Sequence, residues 1–316
     1  MNLPDIATAG VSVIIPSYES HATARATLES LRKQTFRDFE VILVDSSRGD
    51  AVEHIAADFP EIRYHHAMQR LLPHEARNVG VKLARHDLLL FTDPDIVAAA
   101  DWIEKLLGTY RDASTPLAGA VASVQRDWLG LGIHFAKFDL WLPGGGPRTV
   151  PVAASVNFLC ARDLLDQAGG FDGNEMIGDT LLSWQLLRRG HDLRFASDAI
   201  VHHDHRSTFA QLLRERFVRG ADFARLRSER ESWNPPRTFA ILVATVFPLR
   251  LIKLIARTFS ACVRAGCAFD FVRTLPVIAA GHAAWLAGEV TQYWRRLFFL
   301  RVSSEASGRA HNNAGA

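Results

Sequence analysis

The chain has 316 residues, of which 48% are hydrophobic and 22% charged, so it can bury a sizeable core and is too apolar for global disorder. The same composition argues against a polytopic membrane protein. The net charge of +2 hides an asymmetry: residues 1–204 contain 19 Lys/Arg and 27 Asp/Glu, whereas residues 205–301 contain 16 and 6. This distribution predicts an acidic body and a basic segment that meets an anionic partner, either phospholipid or nucleic acid.

The cysteines and the first ten residues indicate in which cellular compartment the protein is expected. Cys160, Cys262 and Cys267 are odd in number and form no CxxC pair, which argues against a disulfide framework or a zinc site. Residues 1–10 lack the basic and apolar regions of a secretory signal, and no apolar run reaches about 18 residues without a charge. We therefore expect a cytoplasmic protein.

Residues 11–125 alternate short apolar runs with helical patterns. The runs VIIP, VILVD and LLLFTD are apolar at consecutive positions up to a polar residue at the end, as strands covered by helices on both faces should be. The pattern predicts an α/β fold with a mostly parallel, Rossmann-like sheet, followed by a helical C-terminal extension. In such a sheet, ligands bind beyond the carboxyl ends of the strands.

The rest of the chain is less regular. Residues 128–151, rich in Gly, Pro and aromatics, predict a long loop. We expect a helix that begins at residue 179 and a strand that ends at the histidines 202 and 203. The pattern of residues 208–227 predicts a basic amphipathic helix. The predicted domains are an N-terminal tail (1–10), an α/β domain (11–230, with halves 11–125 and 126–230), a helical extension (231–301) and a disordered tail (302–316).

FTDPD, residues 91–95, places Asp93 and Asp95 directly after a buried strand. Both carboxylates can therefore turn toward one site, and such hard oxygen ligands suit Mg²⁺ or Mn²⁺ bridging a diphosphate. The alternative is ordinary Asp-Pro-Asp turn chemistry.

Tyr18 and Asp45 follow the first two strands. An aspartate can accept a hydrogen bond from a base or a ribose hydroxyl, and a tyrosine can stack on a base; the alternative is a strand-terminating Asp and a half-buried Tyr. Neither strand is followed by GxGxxG, which argues against an NAD-type dinucleotide site.

Arg77 lies early in the helical pattern HEARNVG, where its guanidinium could bind diphosphate oxygens or simply face solvent. Asp179 begins a later helical pattern and is either its N-cap or a general base for an alcohol. In HHDH, His203 and His205 share a strand face and are either metal ligands or structural residues.

Five segments, taken together, resemble the family-2 glycosyltransferases of GT-A fold over about residues 11–225. They are VSVIIPSYES, SLRKQTFRDFEVILVDSS, ARNVGVKLARHDLLLFTDPD, NFLCARDLLDQAGGFD and GDTLLSWQLLRRG. The resemblance implies a metal-dependent, inverting transfer of a sugar from a nucleotide-diphosphate sugar to a hydroxyl acceptor. It further implies a role in bacterial cell-surface or extracellular polysaccharide assembly, with a lipid-linked molecule as one candidate acceptor.

The same resemblance assigns residues. The nucleotide-sugar is expected to contact Pro16, Tyr18, Glu19, Asp45, Arg77 and Asp93. The divalent metal, Mg²⁺ or Mn²⁺, is expected at Asp93, at Asp95 as the closer ligand, and at His203, with His202 as the alternative by one residue of register. Asp179 matches the family's base.

The chain departs from the family pattern at three places. Glu19 stands where the family commonly has Asn, Ser46 and Arg48 break the acidic-glycine turn after Asp45, and Gly178 replaces the Glu before the base. A UDP-sugar is the donor that the resemblance favours, and the first two departures weaken that preference for uracil. Two other functions stay open: a catalytically degenerate, membrane-associated partner subunit, and a nucleotidyltransferase, although SYESHATA lacks the Gly-rich basic loop the latter needs.

Two apolar segments in the basic region, residues 239–249 and 275–288, are shorter than the roughly 20 residues of a spanning helix. With arginines around them, they predict interfacial helices on the anionic inner face of the cell membrane. The alternative is a helical hairpin packed on the catalytic domain or forming a homodimer. Nucleic acid is not expected as a partner, because the arginines alternate with apolar residues.

Overall fold

The computed structural model describes the backbone of residues 10–312 and the side chains of residues 10–298. The chain divides into two compact units. The sheet unit comprises Met1–Arg126, Phe138–His205 and Val263–Cys267. The helical unit comprises Asp127–Lys137, Arg206–Cys262 and Ala268–Ala316.

Within the described residues, the sheet unit contains one sheet of nine strands. The strands are β1 (Val11–Ser17), β2 (Phe39–Asp45), β3 (Arg63–His66), β4 (Leu88–Thr92), β5 (Ile96–Ala98), β6 (Leu117–Ser123), β7 (Arg148–Thr149), β8 (Asn157–Ala161) and β9 (Arg194–His203). Their order is β3-β2-β1-β4-β8-β6-β9-β5, and β7 pairs with β9.

The sheet is mixed but mostly parallel. Strands β3, β2, β1 and β4 are parallel neighbours, and β6 is parallel to β9. Strand β8 runs antiparallel to both β4 and β6, while β5 and β7 run antiparallel to β9. The α/β fold class expected from the apolar runs is therefore confirmed.

Helices cover both faces of the sheet, which explains the unbroken apolar runs in its strands. Alternate residues of a strand point to opposite faces: Val13 belongs to one core cluster and Ile14 to the other. Leu28 and Trp102 from two helices pack with Val13. The helices of this unit are α1 (Ala24–Arg32), α2 (Ala51–Ala57), α3 (Pro73–Leu83), α4 (Trp102–Thr109), α6 (Arg162–Gln167) and α7 (Gly178–Arg188).

The long loop expected at residues 128–151 is wrong for its first half, because α5 (Trp128–Phe138) occupies it. The glycine at position 132 favoured a loop in the sequence pattern. In the structure Gly132 lies at a close contact between helices, and a Cβ there would lie 2.6 Å from the Val277 side chain. A 3₁₀ turn (Asp139–Trp141) and a glycine turn follow. Arg148 fixes this turn by donating hydrogen bonds to backbone carbonyls, including that of Gly144 at 3.0 Å.

The helical unit contains α5 and four C-terminal helices: α8 (Phe209–Arg230), α9 (Pro235–Val246), α10 (Pro248–Arg264) and α11 (Ala268–Asn312). Helix α8 begins with a capping box, in which the Thr208 side chain accepts from Gln211 N and Gln211 Oε1 accepts from Thr208 N. At SWNPPR, Asn234 caps α9 by accepting from Arg237 N at 3.0 Å. These residues end one helix and start the next.

Helices α8 and α11 approach closely. A Cβ at Gly220 would clash with the Trp285 carbonyl, and one at Gly288 with the Phe217 carbonyl, so both contacts require glycine. Helix α8 therefore belongs to the helical unit, and the boundary falls after residue 205 instead of after 230.

The packing of α11 changes the reading of residues 275–288. Val277, Ile278 and His282 are at most 1% exposed, so one face of this segment packs inside the helical unit, while Leu275 is 36% exposed. The interfacial position expected for this segment stays a prediction. Helix α11 also continues through residues 302–312, where disorder was expected, because no proline or glycine pair interrupts it; residues 313–316 and 1–9 lie outside the described part.

The interior of the helical unit is partly polar. Glu289, 1% exposed, accepts hydrogen bonds from Arg250 Nη2 at 2.9 Å, Trp285 Nε1 at 2.6 Å and Tyr293 OH at 3.4 Å. Burial raises the pKa of Glu289, partly offset by Arg250. Thr258 Oγ1 lies 2.9 Å from His282 Nε2. The Arg250–Glu289 and Thr258–His282 contacts join α10 to α11.

Among the described residues, no single helix has the length and apolar character to cross a membrane. Helices α9 and α10 meet those criteria only when taken as a pair, with a bend of 63° between them.

Candidate functional site

The carboxyl ends of the parallel strands form one edge of the sheet, here called the site edge. Ser17 pairs with Asp45, and Asp45 with His66, at the ends of β1, β2 and β3. Ser123 pairs with His203 at the ends of β6 and β9. All lie at the same edge because their strands point the same way.

Asp45 is fully enclosed at this edge. Its Oδ1 accepts from Ser17 Oγ at 2.8 Å and Ser47 Oγ at 2.7 Å, and its Oδ2 accepts from Tyr64 OH at 3.2 Å. His66 Nδ1 lies 3.6 Å from Oδ2. Burial and the Asp45 charge raise the pKa of Tyr64, so its phenol stays protonated and donates. In this structure, Asp45 orients its neighbours and has no surface open to a ligand.

The other predicted nucleoside residues lie where the loops after β1 and β2 meet. Pro16 is buried in β1 opposite Val44. Tyr18 is half-buried, and the Arg70 guanidinium lies 4.3 Å from its ring centroid. Glu19 has a φ of 51°; its N–H donates to Ser47 Oγ at 2.7 Å and its Oε1 accepts from Arg48 N at 3.2 Å.

Asp93, Asp95 and His203 form a cluster at the site edge. One ligand atom from each lies within 4.8 Å of the others, and His203 Nε2 is 3.5 Å from Asp95 Oδ1. The turn after β4 is placed there because β5 pairs with β9, with Ile96 opposite His203. His202, one residue earlier, is not in the cluster; burial and the charge of Arg126 lower its pKa.

The donor set fits a divalent cation. Two carboxylates and one imidazole are ligands that Mg²⁺ or Mn²⁺ accepts. The His203 ring is held in place by stacking on His205, with centroids 4.2 Å apart, and by Phe138 at 5.1 Å. Its Nδ1 is buried and has no hydrogen-bond partner among the described residues, so Nε2 is the nitrogen that faces Asp95.

Arg77 is buried beneath this cluster. It is 2% exposed, its Nη2 donates to Asp93 Oδ1, and its Nη1 lies 3.3 Å from His74 Nδ1. Its Nε is buried without a hydrogen-bond partner among the described residues. The alternative of a solvent-facing arginine is therefore wrong.

Asp179 lies in the first turn of α7, and the alternative that it is the N-cap is wrong because Ile177 is the N-cap. Its Oδ1 accepts from Thr180 N at 2.7 Å and its Oδ2 from Ser155 N at 3.4 Å. The next residue, Val156, accepts through its carbonyl from Thr92 Oγ1 at 2.8 Å, which puts Asp179 at the site edge.

Gly178 has a steric explanation. A Cβ there would lie 2.7 Å from His74 Cδ2 and 2.8 Å from the Asp172 carbonyl. His74, 3% exposed and stacked on Phe171 at 5.2 Å, fills the space that a larger residue at 178 would need.

Sequence reasoning missed the residues that enclose Asp45 and the residue that supports Arg77: Ser47, Tyr64, His66 and His74. For two of them a signal existed. Tyr64 and His66 alternate in RYHH, so they share one face of β3, and that strand ends beside Asp45.

The known proteins that this chain resembles are glycosyltransferases. The model of the family "Glycosyl transferase family 2" matches residues 12–132. The chain is 29% identical over 252 residues to the pre-mycofactocin glycosyltransferase of Mycobacterium tuberculosis, covering 74% of this chain and 50% of the relative. It is 27% identical to glycosyltransferase AglE of Haloferax volcanii, covering 66% and 70%. The chain thus spans only half the length of the first relative.

A solved structure shares the fold. The mannosyltransferase PcManGT of Pyrobaculum calidifontis, in complex with GDP-Man and Mn²⁺, aligns with a TM-score of 0.57 and 21% identity. The alignment covers 93% of this chain and 90% of that one.

Proposed function

We propose that this chain is a family-2 glycosyltransferase of GT-A fold and that it transfers a sugar from a nucleotide-diphosphate sugar to a hydroxyl acceptor with a divalent metal. The observation that carries this proposal is the Asp93–Asp95–His203 cluster, which lies at the carboxyl ends of the parallel strands with Arg77 beneath it.

Asp95 and His203 would hold the metal, with Asp93 shared between the metal and Arg77. A divalent cation, when bound, neutralises charge that develops on a leaving diphosphate. Arg77 fixes Asp93 in one orientation and supplies a positive charge beside it. The Mn²⁺ and GDP-Man in the PcManGT structure support both the cofactor and the class of donor.

The donor nucleoside is expected at the loops after β1 and β2. Tyr18 and Arg70 offer a stacking surface, and the hydroxyls and imidazole around Asp45 offer polar edges. Because Asp45 is enclosed by its neighbours, we expect it to orient the groups that contact the nucleoside. A UDP-sugar is the first donor to test and a GDP-sugar the second.

Asp179 is the proposed base. The hydrogen bonds from Thr180 N and Ser155 N leave each carboxylate oxygen with further lone pairs for an acceptor hydroxyl. The acceptor oxygen would attack the anomeric carbon as the diphosphate leaves, and Asp179 would take the hydroxyl proton. A single displacement of this kind inverts the anomeric centre.

We place this reaction in cell-surface or extracellular polysaccharide assembly, on a lipid-linked acceptor at the inner face of the membrane. The relatives are glycosyltransferases, which supports the reaction class and leaves the acceptor as our proposal.

The test is donor turnover with a panel of UDP-, GDP- and dTDP-sugars, in Mn²⁺, in Mg²⁺ and in EDTA. Metal-dependent release of a nucleoside diphosphate from one donor is the expected result. A chain that binds no sugar nucleotide in any of these conditions would contradict the proposal and favour a non-catalytic partner subunit.

A further inference from the structure

The helical unit has an exposed apolar surface on α9, α10 and the start of α11. Its large exposed side chains are between 36% and 78% exposed: Phe239, Val243, Val246, Phe247, Leu249, Ile252, Phe259, Phe269, Val272 and Leu275. A contiguous apolar surface on a soluble domain usually marks an interaction site.

Helix α10 carries three distinct faces. At about 100° per residue, Leu249, Ile252 and Phe259 fall within one sector of roughly 80°. Lys253 and Arg257, both exposed, lie about 100° away from the centre of that sector. The third face, which includes Thr258 and Cys262, is buried in the helical unit.

Helix α9 and the start of α11 extend the apolar face. In α9, Phe239, Val243 and Val246 are exposed at helical spacing, and Leu242 and Thr245 are buried. In α11, Phe269 and Val272 are exposed one turn apart, while Phe271 is buried and its ring lies 5.2 Å from that of Phe259. Exposed apolar residues thus lie on all three helices.

The charge beside this face is predominantly positive. Residues 235–275 contain six Lys/Arg and a single acidic residue, Asp270. Arg250 is internal, since it binds Glu289, but Lys253 and Arg257 sit on the exposed side next to Ile252. An anionic surface complements this arrangement.

We propose that this face docks on an anionic lipid bilayer, with the apolar side chains of α9 and α10 in the acyl boundary and Lys253 and Arg257 among the head groups. Helix α10 has one face packed on the protein, one apolar face and one cationic face. All three faces have a suitable environment when such a helix lies in the plane of a membrane interface. Helix α10 would lie along about 25 Å of that interface. The proposal stands on the helical unit and is independent of the transfer reaction.

The test uses the full chain and vesicles of phosphatidylcholine with and without phosphatidylglycerol. The protein should sediment with the anionic vesicles, less with the neutral ones, and less at high salt. Ile252→Glu, and separately Lys253→Glu with Arg257→Glu, should each lower the partition coefficient at least about tenfold.

Matched controls lie on α7 of the sheet unit. Leu187→Glu makes the same kind of change at an exposed aliphatic residue, and Arg188→Glu with Arg189→Glu makes the same charge change. Both should leave vesicle binding unchanged, and circular dichroism should show all variants folded.

Three outcomes would overturn the proposal. The first is a wild-type chain that binds neither vesicle type, and the second is control variants that lose as much binding as the test variants. The third is self-association: if sedimentation without lipid shows a dimer that Ile252→Glu converts to a monomer, while vesicle binding is unaffected, the face joins two copies of this chain.

Discussion

The two units place their polar and apolar residues in opposite ways. The sheet unit buries its large apolar side chains on both faces of the sheet and gathers its acids, imidazoles and hydroxyls at one edge. The helical unit buries a carboxylate, an imidazole and hydroxyls between helices, and exposes Phe, Ile and Val on α9 and α10. Polar groups at the edge of the sheet unit are available for chemistry. Those inside the helical unit specify how the helices pack.

This contrast separates two kinds of mutational effect. Changes at the site edge should alter turnover and leave stability nearly intact, whereas changes in the polar interior of the helical unit should alter stability and leave the chemistry of the folded protein intact.

The largest effect is expected from Asp95→Ala, which should abolish sugar transfer. The carboxylate is about one third exposed and contributes little to the core, so the free energy of unfolding should change by less than about 1 kcal/mol. Metal-dependent turnover and a thermal melt measure the two quantities. Asp101→Ala, at another partly exposed carboxylate in the same unit, is the control and should retain activity. Equal activity in EDTA and Mn²⁺ would contradict the metal assignment.

Asp179→Asn should lower transfer by about 10²- to 10⁴-fold and leave nucleotide affinity nearly unchanged, because a base acts on the acceptor. Asparagine keeps an oxygen that can accept from Thr180 N, so the start of α7 should be preserved. Transfer kinetics and calorimetric titration of the nucleotide separate the two effects. Asp172→Asn, in the preceding turn, is the matched control. Near-normal turnover of Asp179→Asn would assign Asp179 a structural role only.

Arg250→Ala should destabilise the helical unit by about 3 kcal/mol at neutral pH, since it leaves the buried Glu289 carboxylate without its cation. Burial raises the pKa of Glu289, so its contribution to stability is greatest below the ordinary glutamate value and falls as pH rises through the folded-state pKa. The penalty of Arg250→Ala should therefore shrink as the pH is lowered from 7 toward the ordinary glutamate pKa.

Urea denaturation followed at both ends of this pH range measures that penalty. Arg237→Ala removes an exposed ion pair with Glu231 and should cost no more than about 1 kcal/mol. A pH-independent penalty would mean that Glu289 does not change protonation.

The smallest effect is expected from His74→Ala, about a tenfold rise in the KM for the donor with a smaller change in kcat. His74 Nδ1 lies against Arg77 Nη1 and its ring fills the space beside Gly178, so its loss should let Arg77 and Asp93 shift. Donor saturation curves test this, with His54→Ala, an exposed histidine of the same unit, as control. A tenfold fall in kcat with no change in KM would contradict a role of His74 in positioning Arg77.

The sequence predicted the elements of the sheet better than their order. Strands β1 and β4 are buried at every position and mostly apolar because both faces are covered, and this signal is local. The antiparallel position of β8 between β4 and β6 is not readable in this way, because it depends on pairing between distant segments. Helix α5 was missed because Gly132 serves a contact with Val277 that only the folded chain contains.

The site divides similarly. Asp93, Asp95 and His203 were expected together from the family resemblance, and the structure has them in one cluster. The enclosure of Asp45 could not be predicted, since it needs hydroxyls from Ser17, Ser47 and Tyr64 to converge. The contact between Gly178 and His74 could not be predicted either. The two residues lie about a hundred positions apart in sequence, and the packing of α3 and α7 brings them together.

The position of β8 in the sheet also affects how the chain folds while it is being synthesised. Strand β4 leaves the ribosome long before its neighbour β8. Thr92 pairs with Asn157, which is synthesised several seconds later at about 5–20 residues per second. During that interval the β4 edge has no partner, and β6 has neither β8 nor β9 to join it to the nascent sheet. A fragment that ends at residue 132, where the family match ends, would keep this gap permanently and expose an apolar strand edge. The family-matched segment is therefore a unit of sequence but not of folding, and we expect it to aggregate when expressed without residues 157–203.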